Sequence, residues 1–187
     1  PDGYTARSTQ KIDVKACTEI VRAVDIHACG ETTSTELEID ADIFSKASNG
    51  DRGTVVVCHG EKVVAFLNSF DEIKDKRGIF FDIFESPLLP QEIAAQIAKE
   101  LILGIQRYAQ ELLDEYGMTT TPLKTALYDS DLGFIEALED CDFEYHRTFW
   151  RMKMENSGDI EQPVFPNGYA VENYVDNDEN LRELHNV

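Results

Sequence analysis

Residues 78–117 read GIFFDIFESPLLPQEIAAQIAKELILGIQRYAQELLDEYG, and this stretch decides the fold. Its first eight residues, Gly78 to Glu85, are strongly apolar and predict a buried strand near the centre of a sheet. Pro87 and Pro90 then interrupt the chain. Apolar residues recur every three or four positions from Ile93 to Leu113, which predicts a long amphipathic helix that ends at the glycine closing the stretch. A buried strand followed by such a helix is typical of an α/β protein.

The residues before this stretch predict a strand, two helices and a hairpin. Tyr4 to Arg7 predict a short strand, and Asp13 is the expected N-cap of an amphipathic helix. A second, more polar helix is predicted over Glu38 to Ala47. Two β-rich runs, Thr54 to Cys58 and Lys62 to Ser69, flank a short glycine-containing turn, and this arrangement indicates a β-hairpin.

The residues after it predict a strand over Leu123 to Tyr128, a short helix over Leu132 to Glu139 and a long strand over Glu144 to Met154. The complete order is strand, two helices, hairpin, buried strand, long helix, strand, helix and strand. We therefore predict a mixed α/β fold, with helices flanking one sheet.

Composition excludes several classes of function. Acidic residues number 36 and basic residues 17, giving a formal charge of −19, and such a field repels nucleic acids. No apolar run approaches the roughly 20 residues that cross a bilayer, so we expect no membrane partner and a soluble, cytoplasmic protein. The four cysteines and four histidines are scattered, which predicts reduced thiols and no metal site.

The end of the chain repeats its beginning. Pro166-Asn167-Gly168-Tyr169 echoes Pro1-Asp2-Gly3-Tyr4, and a helix-like pattern starting near Asp178 follows it, as one follows Asp13. We predict one domain over residues 1–155 and a linker over 156–165. Residues 166–187 would then be the truncated first strand and helix of a second, similar domain.

This order of elements resembles the GNAT N-acetyltransferases, and in particular the tandem GNAT proteins with an architecture like that of mycothiol synthase. The resemblance covers residues 1 to about 155. It rests on Asp142-Phe143, on the aromatic-Arg-Met run Phe149 to Met154, and on the Pro-x-Gly-Tyr opening at residue 166. It implies a mostly antiparallel central sheet with one splayed pair of strands.

The resemblance also implies acetyl-CoA as the acetyl donor and a small amine as the acceptor. In GNAT enzymes a glycine-rich turn before the long helix binds the CoA diphosphate, and the buried strand pairs with the pantetheine arm. By position in that motif, the cofactor-binding residues here are Ile83, Phe84, Glu85, Gln91, Glu92, Ile93, Ala94, Ala95 and Gln96. The family also uses a carboxylate base and a tyrosine acid. The candidates for these roles are Glu85, Asp82 and Tyr128.

The turn before the long helix departs from the family pattern. No glycine lies between Gly78 and Gly104, and two prolines remove possible N–H donors. Glu85 and Glu92 would bring negative charge toward the diphosphate, and a like-charge contact near 4 Å costs on the order of 4 kcal/mol. The sequence therefore leaves two hypotheses: an N-acetyltransferase with a degenerate CoA loop in this half, or a non-catalytic half. A non-catalytic half would scaffold or regulate an active second half, or sense a small ligand.

Overall fold

The computed structural model describes residues 1–45, 52–75, 77–150, 152, 158 and 163–171. The chain divides into two compact units, Pro1–His146 and Arg147–Val187. The regular elements described all lie in the first unit. In chain order they are β1 (Tyr4–Ser8), α1 (Val14–Cys29), α2 (Glu36–Ile43), β2 (Thr54–His59), β3 (Lys62–Glu72), β4 (Gly78–Glu85), α3 (Gln91–Tyr116), β5 (Leu123–Lys124) and α4 (Leu132–Glu139).

The five strands form one mixed sheet in the order β1-β2-β3-β4-β5. The first four pair antiparallel with their neighbours, and β5 pairs parallel to β4. The hairpin predicted from the sequence is confirmed as β2 and β3. The GIFFDIFE strand is confirmed as β4, but it is the fourth of five strands, and β3 is the central one.

Helices cover both faces of the sheet, as the mixed α/β prediction required. One face carries α3 and α4, and its core includes the fully buried Phe81, Ile102 and Leu112. The other face carries α1 and α2, and its core includes Cys17, Ile43 and Phe66. Because successive side chains of a strand point to opposite faces, β4 supplies residues to both cores.

Two predicted element boundaries were wrong, one because of a helix cap and the other because strand pairing ends early. The helix predicted from Glu38 begins at Glu36, because Thr35 forms a capping box with Glu38, and it ends at Ile43. The strand predicted over Leu123 to Tyr128 keeps only its first two residues. Its remaining residues have no strand partner in the described part of the chain.

Asp13 precedes α1, as predicted, but its side chain does not cap that helix. The carboxylate instead accepts hydrogen bonds from both guanidinium nitrogens of Arg7, at 2.6 and 2.8 Å, and from the N–H of Gln10 at 2.8 Å. The Arg7 guanidinium, aided by that N–H, holds the pKa of Asp13 below its ordinary value. Asp13 therefore ties the end of β1 to the start of α1.

The long strand predicted over Glu144 to Met154 is not present in residues 144–150 or 152, and the other residues of that range lie outside the described part. The described residues have irregular backbone, and Phe149, Trp150 and Met152 are strongly exposed. A strand needs a neighbour for its backbone N–H and C=O groups, and none of the described residues pairs in a sheet with residues 144–150 or 152. The helix predicted after Asp178 and most of the predicted linker also lie outside the described residues.

None of the described helices combines the length and the apolar character that crossing a bilayer requires. Within the same residues, no group of three or more His, Cys, Asp or Glu side chains is arranged to hold a metal ion.

Candidate functional site

The pairing between β4 and β5 ends almost as soon as it begins. Only Ile79↔Leu123 and Phe80↔Lys124 are paired, and the N–H of Ile79 donates to the carbonyl of Pro122 at 2.9 Å. Beyond this point β4 continues to Glu85 with no partner strand on that side in the described part of the chain. The two parallel strands therefore splay apart, as the GNAT resemblance predicted.

Two hydrogen bonds establish which backbone groups of β4 face the opening. The N–H of Ile79 points to β5, whereas the N–H of Ser86 donates to Val64 of β3 at 2.8 Å. Because backbone groups alternate along a strand, the N–H and C=O groups of Phe81, Ile83 and Glu85 lie on the β5 side. The parallel pair Phe80↔Lys124 engages the Phe81 N–H with the carbonyl of Lys124, so it is Ile83 and Glu85 that turn both backbone groups to the open side. These groups form a free strand edge.

A cavity of about 300 Å³ lies at the end of this edge. Glu85 lines it from β4, the first turns of α3 line it from a second side, and the start of α4 completes the wall. The lining residues are Glu85, Gln91, Ala94, Ala95, Ser130, Asp131, Leu132, Gly133 and Phe134. Two helix N-termini thus meet at one cavity, an arrangement that favours an anionic or strongly polar guest.

The turn between β4 and α3, residues 86–90, uses its own N–H groups. Ser86 donates to Val64, as described above, and the N–H of Leu88 donates to Ser86 Oγ at 3.4 Å. The N–H of Leu89 donates to the carbonyl of Ser86 at 3.0 Å. The other two residues are prolines and have no N–H. The turn itself therefore offers no free N–H to a ligand.

The predicted diphosphate motif, Gln91 to Gln96, lies within α3 rather than in a loop. The N–H groups of Ile93 and Ala94 both donate to the carbonyl of Pro90, at 2.9 and 3.0 Å. The later N–H groups of the motif bond within the helix. Only Gln91 and Glu92 present N–H groups without an acceptor in the described part of the chain. Gln91, Ala94 and Ala95 line the cavity, Ile93 packs toward the core, and Glu92 and Gln96 are exposed.

The N-terminus of α4 is occupied by its own cap. Asp131 is the N-cap residue, and its carboxylate accepts from the N–H of Phe134 at 3.3 Å. A carboxylate in this place uses the helix dipole that would otherwise attract an anion. Asp131 was not among the residues predicted from the sequence, although an Asp directly before the apolar run of α4 is an N-cap signal.

Glu85 is one of two carboxyls that line the cavity, the other being Asp131, and it is only partly exposed. Its Oε1 is buried and has no hydrogen-bond partner among the described residues. Burial, together with the nearby Asp131 carboxylate, raises the pKa of Glu85 to about 8. Glu85 is therefore mostly protonated and uncharged at neutral pH, which weakens the charge repulsion expected from the sequence.

Asp82 lies on the opposite face of the sheet from Glu85. Its neighbours Phe80 and Phe84 share its face, and Phe84 packs against the core beneath α1 and α2. Burial, with a smaller contribution from Asp42 of α2, raises the pKa of Asp82 to about 6. The structure thus places the two predicted carboxyls on one strand but does not bring them together.

Tyr128 is held away from the cavity lining. Its hydroxyl donates to Asp25 of α1 at 3.2 Å, and the same carboxylate accepts from Thr32 at 2.8 Å and Ser34 at 3.0 Å. Burial is the main cause that raises the pKa of Tyr128. In this arrangement its proton is engaged with Asp25.

No protein-family model and no curated protein matches the sequence. Solved structures do. A GCN5-related N-acetyltransferase of Sphaerobacter thermophilus has 13% identity and a TM-score of 0.58, over 75% of this chain and 43% of that one. An N-acetyltransferase of Staphylococcus aureus has 19% identity and a TM-score of 0.56, over 75% and 83% of the two chains. The fold is that of the GNAT N-acetyltransferases.

A third structure, yncA of Salmonella typhimurium, was solved with its cofactor acetyl-CoA. It has 16% identity and a TM-score of 0.55, over 76% of this chain and 80% of that one. The chain spans less than half the length of the Sphaerobacter protein and about four fifths of the other two. At these identities the similarity to GNAT proteins is one of fold.

Proposed function

We propose that the protein is an acetyl-CoA-dependent N-acetyltransferase that acts on a small amine. The observation that carries the proposal is the free edge of β4, which runs into a cavity between two helix N-termini. A pantetheine arm contains two amides, and these can pair with an exposed strand edge as another strand would. The fold shared with acetyl-CoA-containing yncA supports the same donor.

The reaction needs a bound thioester, an unprotonated amine and a group that accepts the amine proton. The amine nitrogen attacks the thioester carbonyl carbon, the C–S bond breaks, and the CoA thiolate takes up a proton. Glu85 and Asp82 are the two candidate bases, with pKa values of about 8 and about 6. The pH at which the rate rises distinguishes them, because each acts as a base only when ionised. Tyr128 stays a candidate acid only if its hydroxyl leaves Asp25.

We propose that the chain binds the CoA diphosphate only weakly, as expected of the degenerate CoA loop inferred from the sequence. Only the N–H groups of Gln91 and Glu92 are free at the start of α3, and Asp131 occupies the start of α4. Each charge-assisted hydrogen bond contributes roughly 1.5–3 kcal/mol, so the loss of a few donors removes several decades of affinity. We therefore propose that the thioester arm provides most of the binding energy.

The small number of free N–H groups at the cavity also favours a second candidate function. In it, this chain is a non-catalytic half that supports an active second half. The turns at Pro1–Tyr4 and Pro166–Tyr169 support a repeated unit. In each, the tyrosine N–H donates to the proline carbonyl, at 3.2 and 3.1 Å, and the glycine has positive φ, +82° and +95°. Two stretches 165 residues apart thus adopt one turn. The second half is itself a proposal.

Calorimetric titration with acetyl-CoA and with S-acetylpantetheine tests these proposals. If the thioester arm carries the binding energy, both ligands bind, with Kd values within about tenfold of each other. Acetyl-CoA that binds a thousandfold more tightly would contradict the weak diphosphate site. Binding of neither ligand would favour the non-catalytic candidate. Thiol release with a panel of small amines then tests transfer itself.

A further inference from the structure

A polar pair interrupts an aromatic ladder on the sheet face that carries α1 and α2. Asn68 of β3 lies directly opposite Asp82 of β4, so their side chains share one face. On one side of this pair Phe66 stacks on Phe84, with ring centroids 5.1 Å apart. On the other side Phe70 lies 6.4 Å from Phe80.

Asn68 is buried without a partner for its acceptor oxygen. The residue is 4% exposed, and its Oδ1 has no hydrogen-bond partner in the described part of the chain. A buried amide oxygen left unpaired costs free energy, so its retention in an aromatic setting calls for a donor that arrives from outside. No side chain of the described residues supplies that donor.

The surrounding charge is negative. Asp82 adjoins Asn68, and Asp42 of α2 lies near enough to raise the pKa of Asp82 further. Burial, with a smaller contribution from the Glu38 carboxylate, raises the pKa of Asp42. In each case the charge that adds to the effect of burial is another carboxylate, and no cation is among the causes of either shift. Phe70, Phe80 and Asp82 are only partly buried, so solvent reaches this face.

We propose that Asp82, Asn68 and the two flanking phenylalanine pairs form a binding site for a primary alkylammonium group. An ammonium carries three N–H donors, which suit Asp82, the Asn68 amide oxygen and Asp42. Aromatic faces stabilise a cation within about 6 Å. The net charge of −19 attracts such a ligand from solution. The binding site itself does not depend on the proposed function. Only the role of the bound amine as acetyl acceptor rests on it.

The test uses n-butylamine and n-butanol as probes of the full chain without acetyl-CoA. The amide signals of Asn68 and its strand neighbours are followed by NMR during each titration. We expect saturable shifts with n-butylamine and at least about tenfold weaker binding of n-butanol, which lacks the charge. Asp82→Asn and Asn68→Leu should each weaken n-butylamine binding by about tenfold or more. The control Asp2→Asn removes the same charge from an exposed turn and should leave binding unchanged.

Two results would overturn the site. One is shifts spread over the acidic surface and equal in wild type and Asp82→Asn. The other is equal binding of the amine and the alcohol. Well-dispersed spectra of both variants exclude unfolding as the cause of lost binding. Asn68→Leu places an apolar side chain at a buried position, which the fold should tolerate. If the amine binds but no acetyl transfer occurs, the site stands and the proposed reaction fails. If transfer occurs and neither variant raises the KM for the amine, the site fails and the reaction stands.

Discussion

Replacing Glu85 by Gln removes the carboxyl of the cavity whose pKa is raised mainly by burial. Glu85 has an ordinary pKa of 4.5, raised to about 8 in the folded protein. Between these two pH values the unfolded chain releases a proton that the folded protein keeps. The free energy of unfolding therefore falls as pH rises through this window and levels off above pH 8.

The magnitude follows from the width of that window. About 3.5 pH units, at about 1.4 kcal/mol each, give at most about 5 kcal/mol lost between pH 4.5 and pH 8. Glu85→Gln keeps the shape of the side chain and cannot ionise. We expect the variant to gain stability over wild type by about 1 kcal/mol per pH unit across this range. Asp82 titrates in both proteins, so its contribution cancels in the difference.

The assay is urea unfolding of wild type and Glu85→Gln at half-unit steps from pH 5 to pH 9. Glu92→Gln is the matched control, because it changes an exposed glutamate in the first turn of the helix that lines the same cavity. We expect no comparable slope for the control. A stability difference between wild type and Glu85→Gln that stays flat from pH 5 to pH 8 would refute the burial of a protonated Glu85.

Three further substitutions test contacts on which the fold and the site depend. Gly78→Ala should cost at least about 2 kcal/mol and shift the β4–β5 amides in NMR spectra, because φ is +94° and a Cβ would lie 2.2 Å from the carbonyl oxygen of Pro122; a variant as stable as wild type would be inconsistent with this close approach. Asp131→Ala should lower the stability of α4 by about 1 kcal/mol in thermal unfolding and lower the midpoint of the Glu85 titration, and an unchanged midpoint would count against their interaction. Arg7→Ala should cost about 2 kcal/mol near neutral pH, because it leaves Asp13 buried and unpaired. Since Arg7 lowers the pKa of Asp13, this loss should shrink as urea unfolding is repeated below pH 4, and a loss that does not change with pH would contradict the pairing.

Periodicity and turn signals predicted the elements that build the site. The apolar repeat from Ile93 to Leu113 matches α3, and the hairpin and α4 also lie where the sequence places them. The strand predicted over residues 144–154 was wrong in its described part, because an alternating pattern reports which side chains suit a sheet and not whether a partner strand is available. The two-residue length of β5 has the same origin.

The sequence was sufficient to place Glu85 and Asp82 on one strand, but not to predict how deeply each carboxyl is buried. Their separation by three residues already puts them on opposite faces, and that inference was available from strand geometry. The raised pKa values depend on burial by helices far away in sequence, and no local pattern reports it. Asn68 was missed for a related reason. Its only signal is an amide that directly follows the apolar run Val63–Leu67, and its unpaired oxygen becomes visible only once β3 and β4 are aligned.

Amide NMR of the uniformly ¹⁵N-labelled chain during titration with S-acetylpantetheine tests the free edge of β4 most directly. If the thioester arm pairs with that edge, the N–H signals of Ile83 and Glu85 shift together and saturate. The N–H groups of Phe80 and Phe84 point to β3 and should shift less. Saturable binding that leaves these two edge amides unmoved, or no binding at all, would contradict a thioester site on β4.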